Sequence, residues 1–574
     1  MTRTFLLASS LLLVACRTDA PPAAADGPAV RMAPTPVASP GMVAAANPLA
    51  VEAGLDILAA GGSAVDAAVA VQAALGLVEP QSSGLGGGAF LVLYDSGTGE
   101  VWTYDGRETA PSDVDATLFQ DEGGEPVRYL EGIVSGRSTG APGAMAMLGA
   151  AHADYGRLDW AELFDPVIPL AETGFEVSPR MASLLQRVSR FHLPNDPEAG
   201  PLYYPGGEPL EAGEVLVNGA YADTLRALGA NPRALLEGPI AAAIAAKVAE
   251  DPRPGSLSVA DLAAYRPEKK PALCGEYREH TVCGARPPAS GGTALLMALG
   301  ILETFDMAAL GPTPAGWHHF IEASRLAYAD RDAYLSAPAT MTVGVDQLVS
   351  RERAAERARL VKADSVMTTA RPDSFGDPVA DATPDSPGTS HFSVVDGAGL
   401  VVSMTTTVES AFGSQRMVGG FLLNNQLTDF SFRDADDDGV PIPNRVGPGK
   451  RPRSSMSPTI VFDPDGRFLL STGSPGGNSI IAYTLKTIVG VLDWGLDPQA
   501  ATDLPNVIAR GDTVRIEEGA MDEATIEALR AMGHDIALSE GEISGIHIIY
   551  RRPDGTLVGA ADPRREGAAR PARR

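Results

Sequence analysis

The spacing of apolar residues predicts two helices early in the chain. Asn47 and Pro48 precede an apolar stretch over residues 49–60 that ends at a pair of glycines, and these are the cap, first-turn proline and stop signal of a helix. The next stretch, residues 64–75, begins at Ser63 with a capping pattern. It is apolar on every side, so the helix that it forms is expected to be buried.

Strand-like runs lie in two groups, and helical spacing dominates between them. The region from residue 141 to about 335 is mainly helical, and a further helix is predicted from about residue 479 to 492. The predicted strands occupy residues 89–94, 101–104, 391–395, 400–408, 420–423, 459–462 and 468–471. Helices, then strands, then helices predict an α+β protein in which two sheets pack face to face between helical layers.

Residues 362–388 lose this periodicity. Asp, Pro, Ser and Thr dominate the tract, which predicts an exposed or mobile segment. The tract ends abruptly at Thr389, immediately before a strand-like run. The sequence therefore places a threonine at the junction between a tract without regular structure and a strand.

The first sixteen residues are typical of an export signal. Arg3 supplies the positive charge, and residues 5–14 form an apolar core that is too short to span a bilayer as a lasting helix. Residues 13–16, Leu-Val-Ala-Cys, resemble a bacterial lipobox, which implies lipidation of Cys16. The alternative is an ordinary secretory signal with an incidental cysteine. Either interpretation predicts export, and the first predicts a periplasmic lipoprotein that reaches the membrane only through its lipid anchor.

Composition and charge narrow the classes of function. Of the 574 residues, 44% are hydrophobic and 20% are charged, which is enough apolar material for one large globular unit or two domains. Residues 17–40, rich in Ala, Pro and Asp, are predicted to be a tether that precedes this unit. The formal net charge of -27 disfavours nucleic acid as a partner, because most of the surface would repel phosphate groups.

Two further cysteines lie in a predicted hairpin. Cys274 and Cys283 are in two short strand-like pieces, and in an oxidising compartment such a pair can form a disulfide, although spacing alone does not establish the geometry. A structural metal site is disfavoured, because the two cysteines and His280 leave a tetrahedral site one ligand short. No metal or other cofactor is predicted.

Three short motifs point to other chemistries. The glycine-rich run at residues 84–89 fits a dinucleotide-binding pattern but leads into a strand rather than a helix, so it is interpreted as a turn. Ser138 lies in a G-x-S-x-G pattern, which is typical of the nucleophile of α/β-hydrolases, but no histidine is singled out as its partner. Residues 434–439 match the first half of a calcium loop. Arg445 stands where the closing acid should be, which favours a solvated acidic loop.

Thr389 gains a chemical role if the bond before it is cut. Cleavage after Gly388 would free an α-amine with a pKa of about 7.7 to 8, which is suited to take the proton of the adjacent hydroxyl at neutral pH. One residue then supplies both the nucleophile and the base. Without cleavage, Thr389 is an ordinary residue at the start of a strand.

A series of ordered motifs from about residue 41 to 567 resembles the gamma-glutamyltranspeptidase family. The motifs lie at residues 47–50, 61–68, 82–88, 105–111, 287–292, 389–396, 423–426, 450–458 and 473–477. The resemblance implies the four-layer αββα sandwich of the N-terminal-nucleophile hydrolases. It also implies a precursor that cuts itself between Gly388 and Thr389 into a large subunit, residues 41–388, and a small subunit, residues 389–574, which together form one domain.

The resemblance implies an activity and assigns residues to it. The γ-glutamyl group of glutathione or another γ-glutamyl compound would pass to water, amino acids or peptides, without a cofactor. Thr389 matches the family's nucleophile, with Thr407 hydrogen-bonded to it, and the amides of Gly476 and Gly477 match the donors that stabilise the oxyanion. The substrate-binding residues that it implies are Arg107, Ser454 and Ser455 for the α-carboxylate and Gln426 and Asp429 for the α-ammonium.

Two departures from the family pattern concern substrate choice. Glu409 stands where many members have an asparagine lining the donor pocket, and the lid stretch, residues 431–449, is acidic and lacks the tyrosine of some bacterial members. Two alternative functions therefore stay open. One is a cephalosporin or glutaryl acylase on the same framework, and the other is an exported glutamyl-binding protein without turnover.

Overall fold

The computed structural model describes residues 29–376, 379, 381, 388–540 and 544–573. The predicted signal peptide with Cys16 lies outside these residues, as do residues 382–387 of the acidic tract. In the described part of the chain, every helix is too short or too polar to cross a bilayer.

The strands of the described residues form two large sheets and three small ones. In chain order the strands are β1 (Gly41–Ala45), β2 (Gly88–Tyr94), β3 (Val101–Gly106), β4 (Phe175–Glu176), β5 (Val215–Leu216), β6 (Glu268–Pro271), β7 (Leu273–Tyr277), β8 (His280–Gly284), β9 (Gly388–Asp396), β10 (Val401–Glu409), β11 (Met417–Val418), β12 (Phe421–Leu422), β13 (Thr459–Phe462), β14 (Phe468–Thr472), β15 (Val507–Ile508), β16 (Thr513–Glu517), β17 (Asp535–Ser539), β18 (His547–Arg551), β19 (Leu557–Ala561) and β20 (Ala568–Pro571). The first large sheet has the order β20-β1-β9-β10-β2-β3-β6, and the second has the order β19-β18-β14-β13-β8-β7.

Helices cover the outer faces of both large sheets. In chain order they are α1 (Pro48–Ala59), α2 (Ala64–Val78), α3 (Tyr129–Ile133), α4 (Ala144–Tyr155), α5 (Ile168–Thr173), α6 (Pro179–Val188), α7 (Ala199–Tyr203), α8 (Gly219–Ala230), α9 (Gly238–Val248), α10 (Val259–Ala264), α11 (Gly291–Leu302), α12 (Met307–Leu310), α13 (Pro314–Tyr334), α14 (Val345–Leu348), α15 (Arg351–Ala358), α16 (Ile480–Leu492), α17 (Pro498–Asp503) and α18 (Glu523–Ala531). The first two begin as their sequences predict, because the Asn47 side chain accepts a hydrogen bond from Leu49 N and Ser63 forms a capping box with Asp66.

Three hydrophobic cores separate the four layers. One lies between the first sheet and helices that include α1, α2 and α4, and it contains the whole apolar face of α2. A second lies between the second sheet and helices that include α11, α13 and α16. The third is the smaller core between the sheets, where Phe90 and Val92 of β2 pack with Ile460 and Phe462 of β13. The predicted αββα sandwich is confirmed.

The described part of the predicted tether, residues 29–40, is packed against both sheets. Thr35 is buried, its backbone N–H donates to Ser96 Oγ at 2.8 Å, and its hydroxyl accepts from Phe468 N at 2.8 Å. Ser96 follows β2 and Phe468 begins β14, so Thr35 bridges the two sheets. Low hydrophobicity predicts a free tether here, but hydrogen bonds to strand ends fix this part of the segment.

The described residues of the acidic tract are also fixed by polar contacts. Met367 N donates to Glu322 Oε2 at 2.8 Å, and Asp373 N donates to Asp330 Oδ1 at 2.7 Å. Both acceptors belong to α13. The tract therefore lacks regular structure, and residues 362–376 are all exposed or half-buried, as predicted, but two backbone hydrogen bonds attach them to a helix.

The cysteines form a disulfide. Cys274 of β7 and Cys283 of β8 lie directly opposite each other in the antiparallel pair, with Cα atoms 4.1 Å apart. The hairpin predicted from the sequence supplies this geometry, which spacing alone had left open.

A polar layer interrupts the core between the sheets below the start of β9. His391 is fully buried, and its Nδ1 lies 2.9 Å from Thr405 Oγ1. His547 of β18 is also fully buried close to it. Burial holds the pKa of His547 at about 4 and that of His391 well below its usual value, so both rings are neutral at pH 7.

We expect His547 to reduce the stability of the protein in acid. Below about pH 6.5 the ring takes up a proton in the unfolded chain but not in the folded one, so stability is lost as the pH falls from about 6.5 to about 4. The shift corresponds to about 3 kcal/mol. Urea unfolding of the parent and of His547→Asn at pH 7.5 and 4.5 measures the contribution of His547 to this loss of stability. Carboxylates titrate equally in both proteins, so their contribution cancels in the comparison. The variant is expected to lose less stability than the parent between these values, and equal losses would show that His547 has no such role.

Candidate active site

The two central strands of the first sheet bring two threonines together. Ser390 of β9 pairs with Thr406 of β10, but the register then shifts so that Gly388 pairs with Glu409. Glu409 adopts a left-handed backbone conformation with φ of 81° at this irregularity. A break of this kind in the ladder turns side chains away from their regular positions, and here it places the Thr407 hydroxyl beside the Gly388–Thr389 peptide.

The hydroxyls of Thr389 and Thr407 both lie at the carbonyl oxygen of Gly388. Thr389 Oγ1 is 2.7 Å from Gly388 O and 3.3 Å from Thr407 Oγ1. Thr407 Oγ1 donates to Gly388 O at 2.5 Å and accepts from Glu409 N at 2.7 Å. A Cβ atom on Gly388 would lie 2.1 Å from the backbone oxygen of Glu409, so only glycine fits before the threonine. The structure thus places the predicted hydrogen-bond partner of Thr389 next to it.

Arg565 forms a hydrogen bond with the backbone of Thr389. Its Nη1 donates to Thr389 O at 2.7 Å, and the side chain is buried close to Glu79 and Arg180. Burial, reinforced by Arg180, lowers the pKa of Arg565 to about 9. Sequence reasoning did not single out this residue, which lies 176 positions after the threonine.

Arg107 directly follows β3 and is fully buried. Its Nε donates to Pro452 O at 3.2 Å and its Nη2 to Arg453 O at 2.9 Å, and Nη2 also pairs with Asp429. Within the described residues, Nη1 makes no hydrogen bond, but it lies 3.8 Å from Glu108 Oε2, and both side chains are buried. Burial lowers the pKa of this guanidinium, but neighbouring carboxylates outweigh the effect and the net pKa lies above its usual value. A buried, charged guanidinium held among carboxylates therefore lines the pocket.

Acceptor groups stand beside this cation. Gln426 and Asp429 lie at the two ends of one short 3₁₀ turn, and Gln426 Nε2 donates to Glu409 Oε2 at 3.0 Å. The pocket thus contains an Arg107–Asp429 ion pair with a second carboxylate nearby. A zwitterionic amino-acid end can insert between the partners, because its carboxylate complements the guanidinium and its ammonium complements the carboxylates.

Two serines and a glycine-rich loop form a further part of the pocket wall. Ser455 Oγ donates to Asn478 Oδ1 at 2.8 Å, and Ser454 Oγ accepts from Met456 N at 3.2 Å. Gly476 has φ of 132°, and a Cβ there would lie 2.5 Å from the ring of Tyr483, so the loop requires glycine at this position. The loop leads into α16, whose N-terminus favours negative charge nearby.

Nine of the ten residues predicted for catalysis or substrate binding line one pocket, and Gly476 adjoins it through Gly477. The nine are Arg107, Thr389, Thr407, Glu409, Gln426, Asp429, Ser454, Ser455 and Gly477. The structure adds residues that sequence reasoning missed, namely Arg331, Arg453, Met456, Asn478 and Ile480. Asn478 directly follows the predicted glycine pair, and this position next to the pair was its only sequence indication of a place in the pocket. Arg331 lies within a long helix and carries no such indication.

The competing motifs do not form sites among the described residues. Ser138 is buried in a 3₁₀ turn, and its hydroxyl donates to the backbone oxygens of Ile133 and Ser135, so it lacks the exposed strand-to-helix turn of a nucleophile elbow. The glycine run of residues 84–88 leads into β2 as predicted. In the acidic loop, Asp436 Oδ1 accepts from the backbone of Asp438 and Val440. The described residues contain no cluster of His, Cys, Asp or Glu side chains suited to a metal ion.

A four-layer αββα sandwich with a threonine at the start of a central strand defines the class of the N-terminal-nucleophile hydrolases. Comparisons with known proteins place the chain within this class. The gamma-glutamyltranspeptidase family model matches residues 50–572. The chain belongs to the gamma-glutamyltranspeptidase family, which confirms the resemblance carried by its motifs.

Relatives and solved structures of two named activities are similar over nearly the whole chain. A glutathione hydrolase proenzyme of Escherichia coli is 36% identical over 541 residues, which cover 92% of this chain and 91% of the relative. An acylase proenzyme of a Pseudomonas strain is 34% identical over 542 residues, covering 92% and 93% respectively. The crystal structure of a cephalosporin acylase from Bacillus halodurans has a TM-score of 0.80 at 28% identity and covers 97% of this chain and 99% of its own.

Proposed function

We propose that this member of the family is a self-processing γ-glutamyltransferase with glutathione hydrolase activity. Thr389 takes the γ-glutamyl group of glutathione or another γ-glutamyl compound and passes it to water, an amino acid or a peptide. The observation that carries the proposal is the pocket itself. It is lined by the buried guanidinium of Arg107, which is paired with Asp429, by the carboxylate of Glu409 and by Thr389.

Self-cleavage is the first step of the proposed function. Thr389 Oγ1 attacks the carbonyl carbon of Gly388, the C–N bond breaks, and the hydroxyl proton ends on the released amine. Water then hydrolyses the resulting ester and leaves a carboxylate on Gly388. The Thr407 hydroxyl, which donates to Gly388 O, polarises the carbonyl and stabilises the charge that develops on the oxygen.

Catalysis uses the groups that cleavage creates. The free amine of Thr389 takes the proton from Oγ1, which attacks the γ-carbonyl carbon of the donor. The backbone amides of Gly476 and Gly477, ahead of α16, hold the developing oxyanion. The amine of the donor's other half leaves with the proton, and an ester remains on the threonine. Water or an acceptor amine then attacks this ester, takes the γ-glutamyl group and restores the Thr389 hydroxyl.

The acylase alternative keeps the same nucleophile but not the same donor. It is favoured by the similarity to an acylase proenzyme and to a cephalosporin acylase. A glutaryl group, however, has no ammonium, so it would leave the carboxylates of Asp429 and Glu409 without a cation from the substrate. Loss of one partner from a buried charge pair costs about 2 to 5 kcal/mol.

The donor preference is measured with paired anilides. We expect kcat/KM for γ-glutamyl p-nitroanilide to exceed that for glutaryl p-nitroanilide by about 100-fold or more, because only the former supplies the ammonium. The reverse preference would make the protein an acylase. Binding of γ-glutamyl compounds by an intact chain, with neither anilide hydrolysed, would favour the glutamyl-binding protein.

Export and lipidation also belong to the proposal. The support is the apolar core of residues 5–14 followed by Leu-Val-Ala-Cys. In a bacterial host we expect the protein in the membrane fraction of broken cells, and we expect Cys16→Ser to abolish incorporation of labelled fatty acid. A soluble periplasmic parent protein whose mature N-terminus is not Cys16 would show that the signal is an ordinary secretory one.

A further inference from the structure

We propose that Arg331 is a positioning residue. It fixes the position of Ser455 in the pocket relative to the loop that contains Gly476 and Gly477, which we call the oxyanion loop. The inference rests on the proposed function and extends it to a residue that no motif marks. Arg331 lies near the end of α13, in the proposed large subunit, whereas Ser455 and Asn478 belong to the proposed small subunit. Its side chain is buried and lines the pocket.

The guanidinium of Arg331 connects three separate segments. Its Nη2 donates to Ser455 Oγ and, at 2.9 Å, to Asn478 Oδ1, while its Nε donates to Ser290 Oγ at 2.9 Å. Ser455 Oγ in turn donates to Asn478 Oδ1 at 2.8 Å. The three side chains of Arg331, Ser455 and Asn478 thus form a closed triangle of hydrogen bonds, which we call the Arg331 triangle. Such a planar fork cannot be replaced by a lysine without losing at least one bond.

Helix α13 also holds the backbone of the same loop. Tyr328, one turn before Arg331 and on the same face of the helix, donates through its hydroxyl to the backbone oxygen of Asn478 at 2.5 Å. Both the side chain and the main chain of Asn478 are therefore fixed by one helix. Asn478 directly follows Gly477, whose amide is assigned to the oxyanion.

The loop needs such external support because glycine gives it little rigidity of its own. Gly476 and Gly477 both have positive φ, 132° and 57°, and glycine moves readily between such conformations. An oxyanion site works only when its donors are fixed before the charge develops. A displacement of about 1 Å can cost about 100-fold in rate. The Arg331 triangle supplies the fixed point for the residue next to these donors.

The triangle also links the two ends of the donor. Ser455 is assigned to the carboxylate end of the pocket, and Asn478 adjoins the oxyanion end. Cleavage after Gly388 removes the covalent connection between α13 and both of these residues, but it leaves their hydrogen bonds in place. The triangle therefore keeps the two halves of the pocket aligned in the cleaved enzyme.

A direct role in substrate binding is the main alternative, because Arg331 lines the pocket and carries a positive charge. The two roles predict different kinetics. A group that binds the donor carboxylate equally in the ground and transition states changes KM, whereas a group that aligns the oxyanion donors changes kcat. The contacts favour the second role, since Asp332 pairs with the Nη1 of Arg331 and Ser455 and Asn478 occupy its Nη2.

The test compares Arg331→Lys, Asn478→Ala and the double variant with the parent enzyme. Each single variant is expected to be cut into two fragments, since the Gly388 carbonyl is held by Thr407 and not by Arg331. We expect Arg331→Lys to lower kcat for γ-glutamyl p-nitroanilide by about 10- to 100-fold with KM changed less than about threefold. The double variant should lie within about threefold of the worse single variant, because residues that act as a unit are not additive.

Arg325→Lys is the matched control. Arg325 is buried on the same helix, but it pairs with Glu322 and Asp512 and does not line the pocket. The Arg325→Lys variant should therefore retain kcat within about twofold of the parent value. A rise in KM without loss of kcat in Arg331→Lys, multiplicative effects in the double variant, or unchanged kinetics would each overturn the inference. If Arg331→Lys fails to fold, Asn478→Ala and Asn478→Gln decide the matter through the same kcat and KM comparison. The parent enzyme tests the proposed function separately, since it must hydrolyse the anilide whatever the variants do.

Discussion

Thr389→Ala is expected to remain a single uncut chain without activity. The substitution removes the hydroxyl that lies 2.7 Å from Gly388 O, so no group is left at that position to attack the carbonyl carbon. Without the cut, no α-amine forms and no base is available for catalysis. We expect kcat/KM for γ-glutamyl p-nitroanilide to fall by at least about 10⁴-fold, as for other enzymes that lose their nucleophile. A denaturing gel and an anilide assay measure the two effects together.

Two variants serve as controls for this result. Thr389→Ser keeps a hydroxyl at the same position and should still be cut. Ser138→Ala should be cut normally and keep its activity within about twofold, because Ser138 is buried in a turn and bonds only to nearby backbone oxygens. Cleavage of Thr389→Ala at the same bond would contradict the assignment. Loss of activity in Ser138→Ala with normal processing would revive the α/β-hydrolase interpretation.

Arg107→Lys should impair donor binding more than any other single change outside the nucleophile. Lysine keeps the charge but cannot present two parallel N–H groups to a carboxylate while also bonding to Pro452 O and Arg453 O. It also loses the contact of Nη2 with Asp429. We expect kcat/KM to fall by about 10²- to 10³-fold, largely through KM, corresponding to about 3 to 4 kcal/mol. Steady-state kinetics over a range of donor concentrations separate KM from kcat.

Arg451→Lys is the matched control for Arg107→Lys. Arg451 is also a buried arginine paired with carboxylates, Asp105 and Glu268, but it does not line the pocket. The KM of Arg451→Lys for the donor should differ from the parent value by less than about threefold. Both variants should be cut normally, because neither side chain contacts Thr389 or Thr407. An unchanged KM in Arg107→Lys, or an equal rise in both variants, would contradict the assignment of Arg107 to the donor carboxylate.

Much of the framework follows from local sequence. The caps at Asn47 and Ser63, the buried pattern of α2 and the runs that became β9 and β10 depend on short-range periodicity, which a sequence displays directly. The pocket residues were assigned through the resemblance of their motifs to the gamma-glutamyltranspeptidase family, because their own local patterns also fit ordinary strand ends and turns. The disulfide was predicted as a possibility, and the register of β7 with β8 settled it.

Residues that reach the site only through tertiary packing were not predictable. Arg331 lies between Asp330 and Asp332 in a long helix, and Arg565 lies close to the end of the chain, so neither has a local pattern that indicates its partner at the site. Thr35 shows the same limit, since a polar segment becomes fixed when its backbone meets strand ends from two sheets. Long-range hydrogen bonds of this kind depend on the folded arrangement and leave no period in the sequence.

N-terminal sequencing of the purified, active protein tests the central claim most directly. The smaller of two fragments is predicted to begin Thr389-Ser390-His391-Phe392, with the two fragments remaining together under native conditions. An active protein that consists of one intact chain, or whose smaller fragment begins at another residue, would contradict the account.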